Sequence, residues 1–222
     1  MTEKLKILYV ASEVEPFVKT GGLADVAGSL PQKIKKMGHD IRVVLPEFEQ
    51  IPDKYRKEAE HVTDFNTDVA WRSEYVGINK LNHQGVPTYF VDNKRFFDRS
   101  WLYDNDDKHL QFTYFSKAVL DLIKKIDFKP DIIHCNDWQT GPIMLLLEDQ
   151  YRQSKFYRDI KTIFTIHNLS YQGMFDHYII DDVLGVDHWH WEIGTIRHNG
   201  LVNFMKMGIM YTDLINTVSN TY

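Results

Sequence analysis

The chain has 222 residues and a formal net charge of −5 at pH 7, and hydrophobic residues make up 43% of it. That hydrophobic fraction supports a sizeable core and excludes a disordered chain, while the acidic balance argues against nucleic acid as the main partner. The single cysteine, Cys135, excludes an internal disulfide and indicates a reducing compartment.

The first predicted elements are a buried strand and an amphipathic helix. Apolar residues predict a strand over residues 7–11, and a helical spacing of apolar residues predicts a helix over residues 22–37. Gly38 suits the position that follows a helix C-terminus. Pro31 lies inside this helix, so we expect the helix to be kinked or divided there.

The loop between these two elements contains a lysine and a glycine pair, Lys19 and Gly21-Gly22. Glycines let a ligand approach the backbone, free N–H groups at a helix start favour an anion, and the lysine adds a positive charge. A tight turn with a surface lysine is the alternative, because Gly-Gly occurs in many turns of this kind. The spacing alone leaves both interpretations open.

Strands and helices alternate along the rest of the chain. The predicted strands are residues 41–45, 75–81, 86–91, 131–135, 162–166 and 214–218, and the predicted helices are residues 112–126, 142–147 and 203–211. Residues 82–85 form a predicted hairpin turn, and residues 47–70 are left unassigned. This alternation predicts an α/β fold with a mainly parallel sheet and helices on both faces. Without a Pro/Gly/Ser-rich linker, residues 1–222 are expected to form one domain.

Three polar clusters follow predicted parallel strands: residues 19–22, 134–138 and 167–168. Ligands of open parallel sheets bind beyond the carboxyl ends of the strands, so we expect these clusters to face one crevice. Asp137 offers acceptors for ligand hydroxyls or for a developing positive charge, and its alternative role is a helix N-cap. His167 could donate to ligand oxygens or present its carbonyl, and its alternative role is structural.

Seven sequence motifs resemble one known family in content and order. They are residues 19–26 (Lys-Thr-Gly-Gly-Leu-Ala-Asp-Val), 89–93 (Tyr-Phe-Val-Asp-Asn), 97–99 (Phe-Asp-Arg), 134–138 (His-Cys-Asn-Asp-Trp), 165–169 (Thr-Ile-His-Asn-Leu), 171–173 (Tyr-Gln-Gly) and 217–219 (Thr-Val-Ser). The chain therefore resembles the bacterial glycogen synthases and plant starch synthases over nearly its whole length.

This resemblance implies a Rossmann-like N-terminal lobe of a GT-B-type glycosyltransferase. The expected reaction moves glucose from ADP-glucose to the non-reducing 4-hydroxyl of glycogen or another α-1,4-glucan, with retention of configuration. The second, nucleotide-binding lobe is expected to be absent from these 222 residues. The chain alone is therefore expected to be inactive, and neither a cofactor nor a metal is expected.

The resemblance also assigns roles to individual residues. It implies catalytic positions at Asp137 and His167, donor-binding positions at Lys19, Gly21, Gly22 and Asn168, and acceptor-side positions at Glu13 and Tyr103. Without the resemblance, Glu13 is expected to be a solvated loop acid. Trp138 could stack on a sugar face, and its alternative role is core packing, which is more common for a tryptophan after a strand. Gln139 departs from the pattern, because many relatives carry a histidine there, and this argues against an acid–base role at that position.

Two other classes of protein remain as alternatives. A lone lobe of this kind could be a non-catalytic glucan-binding module. A metallohydrolase built on His134, Asp137 and His167 is the other. His188 and His190 would share one side of a strand and form a separate candidate metal pair, but no Cys, second His pair or HExxH-type helix supports zinc there, and surface or interface aromatics are favoured. No GxGxxG or GxxxxGK[ST] motif supports a dinucleotide site or a P-loop.

The chain start shows no charged leader followed by an apolar segment, and no apolar run approaches the roughly 20 residues that span a membrane. We therefore expect a cytoplasmic protein without a membrane partner.

Overall fold

The structure is a computed structural model that describes residues 4–103 and 105–219. Its centre is an eight-stranded sheet in the order β11-β7-β6-β1-β2-β5-β4-β3. The strands of this sheet are β1 (Lys6–Val10), β2 (Asp40–Pro46), β3 (Glu60–Val69), β4 (Arg72–His83), β5 (Val86–Asp92), β6 (Ile132–Asn136), β7 (Lys161–Ile166) and β11 (Leu214–Thr217). The six strands from β11 to β5 run parallel, while β4 and β3 add an antiparallel edge.

Three short strands form a separate antiparallel sheet. They are β8 (Met174–Phe175), β9 (Arg197–His198) and β10 (Leu201–Asn203). The helices are α1 (Gly22–Lys36), α2 (Asp53–Glu58), α3 (Lys94–Phe97), α4 (Lys108–Lys125), α5 (Gly141–Leu146), α6 (Trp189–Glu192) and α7 (Phe204–Met210). A 3₁₀ turn covers Trp138–Thr140, and π-helical turns cover Leu147–Tyr151 and Ile180–Leu184.

The direction of strand addition reverses at β1, which lies between β2 and β6. The chain moves one way through β1, α1 and β2, and the other way through β6, α5 and β7. Because such crossovers are right-handed, α1 covers one face of the sheet, while α4, α5 and α7 cover the other. The helix α1 packs on β2 and β5, and α5 packs on both α4 and α7. The predicted α/β fold, with a mainly parallel sheet, is therefore confirmed.

The hairpin predicted at residues 82–85 is confirmed. Its two-residue loop is Gln84-Gly85, and both residues have positive φ angles, 51° and 82°. Such left-handed pairs match the twist of the flanking strands. The unassigned residues 47–70 turn out to contain α2 and β3.

The predicted division of the helix at Pro31 is wrong, because α1 runs unbroken from Gly22 to Lys36. Pro31 is itself buried. Packing of the apolar face of α1 on the sheet outweighs the hydrogen bond that proline cannot donate. The helix ends as predicted, with Gly38 just beyond it at a φ of 99°.

Candidate active site

A cavity of about 650 Å³ opens at the carboxyl ends of β1, β6 and β7. This is the position where strand addition reverses and where ligands of open α/β sheets bind. Its lining residues come from all three predicted clusters and from the α4 side: Glu13, Thr20, Gly21, Gly22, Leu23, Val26, Tyr103, Lys108, Asp137, Trp138, Gln139, His167, Asn168, Tyr171 and Val218. The predicted convergence of the three clusters on one crevice is confirmed, although Lys19 is not among the lining residues. This cavity is called the crevice below.

Asp137 ties the end of β6 to the end of β7. Its Oδ1 accepts the backbone N–H of His167 at 2.7 Å and that of Asn168 at 3.3 Å. The N-cap alternative is wrong, since the side chain makes no capping bond to the 3₁₀ turn that follows. Asp137 has a φ of 56°, a left-handed conformation that costs energy outside glycine and occurs at functional sites.

Burial gives the Asp137 carboxyl an unusual titration. It raises the pKa of this group to about 6, and the two backbone N–H donors oppose that rise. The nearby Glu13 carboxylate raises the pKa further. The carboxyl group therefore changes charge near physiological pH, where an ordinary aspartate is fully ionised.

His167 presents a neutral imidazole to the crevice. Burial lowers the pKa of His167 to about 4. Its Nε2 lies 3.0 Å from Asn136 Oδ1. His134, on β6, also has a pKa lowered to about 4, chiefly by burial, and its Nε2 lies 2.6 Å from Thr165 Oγ1. His134 does not line the crevice.

The glycine loop binds a carboxylate of the protein itself. Glu13 Oε2 accepts the backbone N–H groups of Thr20 and, at 3.2 Å, Gly21. Glu13 Oε1 accepts the Thr20 hydroxyl at 2.6 Å. Two amides that were expected to be free for an anion are therefore occupied. Gly22, the first residue of α1, still lines the crevice.

Tyr103 completes the surroundings of Glu13. Its hydroxyl donates to Glu13 Oε1 at 2.6 Å and lies 3.0 Å from Ser12 Oγ. Burial and the Glu13 charge raise the pKa of Tyr103 well above its ordinary value, so the phenol stays protonated. The expectation of a solvated Glu13 is wrong, because this side chain is buried and accepts four hydrogen bonds.

Lys19 lies outside the crevice. Its Nζ is 2.5 Å from Asp25 Oδ1, and the two side chains are 45% and 58% exposed. This pair raises the pKa of Lys19, mainly through the hydrogen bond that the ammonium donates to Asp25. The lysine that lines the crevice is Lys108, at the first position of α4.

Trp138 packs mainly in the core, as its alternative interpretation predicted. Its ring centroid lies 5.1 Å from that of Phe112 and 6.1 Å from that of Phe175. Gly173, with a φ of 61°, passes directly beneath the indole: a Cβ there would lie 2.3 Å from Trp138 Cε3. The motif residue Gly173 thus fixes the position of one crevice wall.

Sequence reasoning missed several residues of the site. Asn136, Thr20 and Lys108 were not singled out, although Asn136 and Thr20 lie within quoted motifs. Nothing in the local pattern marks Lys108, because its place depends on how α4 packs.

The metal alternatives find no matching geometry. Within residues 4–103 and 105–219, no group of three or more His, Cys, Asp or Glu side chains is placed to bind a metal ion. His188 and His190 lie at the start of α6 and not on a strand. The Nε2 of His188 is 2.9 Å from Asp181 Oδ1, whereas that of His190 is 2.8 Å from Asp149 Oδ1.

Fold and site together define a doubly wound α/β protein whose switch-point crevice combines apolar walls with the polar side chains of Asp137, His167 and Asn168. The starch synthase catalytic domain model matches residues 6–222. The chain is 47% identical to a glycogen synthase of Desulforamulus reducens over 218 residues, which are 98% of this chain and 45% of that one. A glycogen synthase of Clostridium kluyveri is 47% identical over 98% of this chain and 46% of its own length.

A solved structure agrees with these matches. The catalytic domain of starch synthase IV from Arabidopsis thaliana, bound to ADP and acarbose, superposes with a TM-score of 0.89 at 28% identity. The alignment covers 99% of this chain and 46% of that one. The chain belongs to the starch synthase catalytic domain family, and it spans about half the length of the curated relatives it matches. In the described part of the chain, no helix is both long and apolar enough to cross a membrane.

Proposed function

We propose that this chain is the N-terminal lobe of an ADP-glucose-dependent α-1,4-glucan synthase. The whole enzyme transfers glucose from ADP-glucose to the non-reducing 4-hydroxyl of glycogen or a related glucan, with retention of configuration. Support comes from the glycogen synthases that match nearly all of this chain, and from the starch synthase structure that is bound to ADP and acarbose. Residues 1–222 form one domain, and a second lobe supplies the remaining half of the site. This chain continued by that lobe is called the complete enzyme below.

The observation that carries the proposal is the linked pair Asp137 and His167 at the switch point. One is a carboxyl that titrates near pH 6 and the other is a neutral imidazole, and their backbone positions are fixed relative to each other. Such a pair can accept hydrogen bonds from a sugar, and the Asp137 carboxylate can stabilise positive charge that develops at the transferred glucose. We assign both residues to the transferred glucose.

The donor phosphates are assigned to the start of α1. Gly21 and Gly22 line the crevice at this helix start, and the helix N-terminus favours an anion. Asn168, which lines the same crevice after β7, is also assigned to the donor. Lys19 is assigned to the same phosphates. Because its ammonium pairs with Asp25, it has to exchange that partner for the phosphate when ADP-glucose binds.

The acceptor glucan is assigned to the side of the crevice formed by Glu13 and Tyr103. Glu13 already accepts four hydrogen bonds, which is about the number that a carboxylate can accept. We therefore assign it a positioning role: it holds Tyr103 beside the acceptor and the glycine loop beside the donor phosphates. The lone cysteine, which is buried, and the bacterial relatives support a cytoplasmic location.

A radiolabel transfer assay tests the proposal. The complete enzyme is given ADP-[14C]glucose and glycogen, and incorporation of label into precipitated glycogen is measured beside ADP release. We expect both, and we expect amylase to release the label, which shows that the new linkage is α-1,4. Glycogen binding without ADP release would instead support the glucan-binding module and refute the synthase.

A further inference from the structure

Asn136 is a fully buried residue at the end of β6, next to Asp137. Its Nδ2 donates to the carbonyl oxygen of Val10 at 2.9 Å. Since a carbonyl only accepts hydrogen bonds, this contact fixes which way the amide points. The Oδ1 of Asn136 therefore faces the other two partners, the Tyr9 hydroxyl and His167 Nε2, each at 3.0 Å.

This arrangement determines where His167 carries its proton. An amide oxygen only accepts, so His167 Nε2 has to be the donor. With its pKa lowered to about 4 by burial, the imidazole is neutral at physiological pH and has a single N–H. The other ring nitrogen, Nδ1, is then an acceptor, and no hydrogen-bond partner for it exists among the described residues.

We propose that Asn136 is a positioning residue that fixes His167 in the Nε2–H tautomer, so that His167 accepts a hydrogen bond from a hydroxyl of the transferred glucose at Nδ1. This inference rests on the proposed function for the identity of the sugar. It replaces the expectation that the ring donates to sugar oxygens, because the only ring proton is used inside the protein.

The substrate group that contacts His167 Nδ1 has to be a hydrogen-bond donor. A hydroxyl fits, whereas a fluorine or hydrogen at the same carbon cannot donate. The site therefore discriminates against one deoxy and one fluoro analogue of the transferred glucose, and both carry the change at the same carbon.

The tautomer is tested by NMR on this chain labelled with 15N-histidine. Long-range 1H–15N correlations distinguish a protonated ring nitrogen from an unprotonated one, and His167→Gln assigns the signals among the ten histidines. We expect a single His167 tautomer protonated at Nε2. A proton on Nδ1 in the unmutated chain would overturn the proposal, whatever the variants do.

Two variants test whether Asn136 causes that preference. Asn136→Leu removes the acceptor at similar volume, and we expect His167 to become a mixture of tautomers. Tyr9→Phe is the matched control, because it removes the other donor to the same Oδ1 and leaves the His167 contact in place. If Asn136→Leu does not fold, Asn136→Asp keeps an acceptor oxygen and should preserve the Nε2–H tautomer while raising the His167 pKa. An unchanged tautomer in folded Asn136→Leu, or an unchanged His167 pKa in Asn136→Asp, would refute the role of Asn136.

The sugar contact is tested by kinetics of the complete enzyme with ADP-glucose and its monodeoxy and monofluoro analogues. At one carbon, both replacements should lower kcat/KM by about two- to tenfold, the size of one neutral hydrogen bond. The same replacements should cost less than about twofold in His167→Ala, whose partner is already missing. Equal losses in both enzymes would refute the contact. Absence of all glucose transfer would count against the proposed function alone, because the NMR result does not depend on turnover.

Discussion

The carboxylate of Asp137 accepts the backbone N–H of His167 at 2.7 Å, so the ends of two neighbouring parallel strands are fixed by one buried side chain. The two residues are 30 positions apart in sequence. Asp137 and His167 therefore depend on each other for their positions in the crevice. The carboxylate of Asp137 orients the end of β7, and the backbone N–H groups there stabilise the ionised form of the carboxylate.

Asp137→Asn should become more stable relative to the unmutated chain as the pH rises. The folded pKa of Asp137, about 6, is raised above the ordinary value of 3.8 by burial. Ionisation is thus harder in the folded state, so the stability that this group contributes is fully present below pH 3.8 and is lost as the pH rises through about 6. The loss can reach about 3 kcal/mol, and a neutral amide at this position would not suffer it.

Chemical denaturation of the two chains between pH 4 and pH 8 checks this. The difference in unfolding free energy should grow in favour of Asp137→Asn across that interval. Asp106→Asn, at an exposed position, is a control that should show no such trend. A constant difference across the interval would mean that Asp137 titrates like an ordinary carboxyl.

His167→Ala in the complete enzyme should lower kcat more than it raises KM for ADP-glucose. An interaction that strengthens in the transition state affects kcat, whereas uniform binding affects KM. Steady-state kinetics give both constants, and His198→Ala, an exposed histidine on β9, serves as the control. A folded His167→Ala enzyme with an unchanged kcat would mean that this histidine is structural.

Lys19→Ala in the complete enzyme should reduce kcat/KM for ADP-glucose by about tenfold or more and leave the glycogen dependence nearly unchanged. The reason is its assignment to the donor phosphates. Lys19→Arg should rescue only part of the loss, since a guanidinium is wider than an ammonium. Kinetics with each substrate varied separately measure this. A defect confined to the glycogen titration would place Lys19 on the acceptor side.

The Lys19 pair with Asp25 allows a second test of that assignment. Asp25→Asn removes the carboxylate that pairs with the Lys19 ammonium, so KM for ADP-glucose should fall or stay the same. Loss of Asp25 should be harmful only if Asp25 is needed to aim Lys19. A rise in KM in Asp25→Asn as large as that in Lys19→Ala would contradict free exchange of Lys19 from Asp25 to the phosphate.

Gly173→Ala should destabilise the chain by about 2–4 kcal/mol, from overpacking against Trp138 together with the cost of a left-handed alanine. Gly200→Ala is the matched control, because Gly200 also has a positive φ, 77°, but nothing lies within 4 Å of a Cβ there. Thermal unfolding of the two variants measures the loss of stability. Equal losses in the two variants would show that contact with the indole adds nothing.

The order of strands and helices was predictable because each element carries its own periodicity. The strands around β1 are nearly continuous apolar runs, and the hairpin is marked by Gln84-Gly85. The strand β3 was missed because its buried face places the polar Thr67 between Phe65 and Val69, which weakens the apolar alternation typical of a strand. Pro31 misled the prediction, since local propensity says nothing about the sheet against which α1 packs.

The crevice was predictable as a place, and its internal contacts were not. Topology alone brings the ends of β1, β6 and β7 together. The partners of Glu13 and Lys19 depend on side-chain directions within one loop. The backbone N–H groups there that were expected to bind an anion donate to Glu13. Asn136 was not predicted, because a single buried amide produces no periodic pattern in the sequence. Its role depends on contacts with residues that are distant in sequence.

The most direct test of the account is turnover by this chain alone and by the complete enzyme in the same ADP-release assay, with ADP-glucose and glycogen. A crevice formed by two lobes cannot orient donor and acceptor from one side, and lost positioning costs several kcal/mol of barrier, on the order of thousands-fold in rate. We predict a folded but essentially inactive chain, and robust ADP release by the complete enzyme. Robust turnover by the 222-residue chain alone would contradict the account.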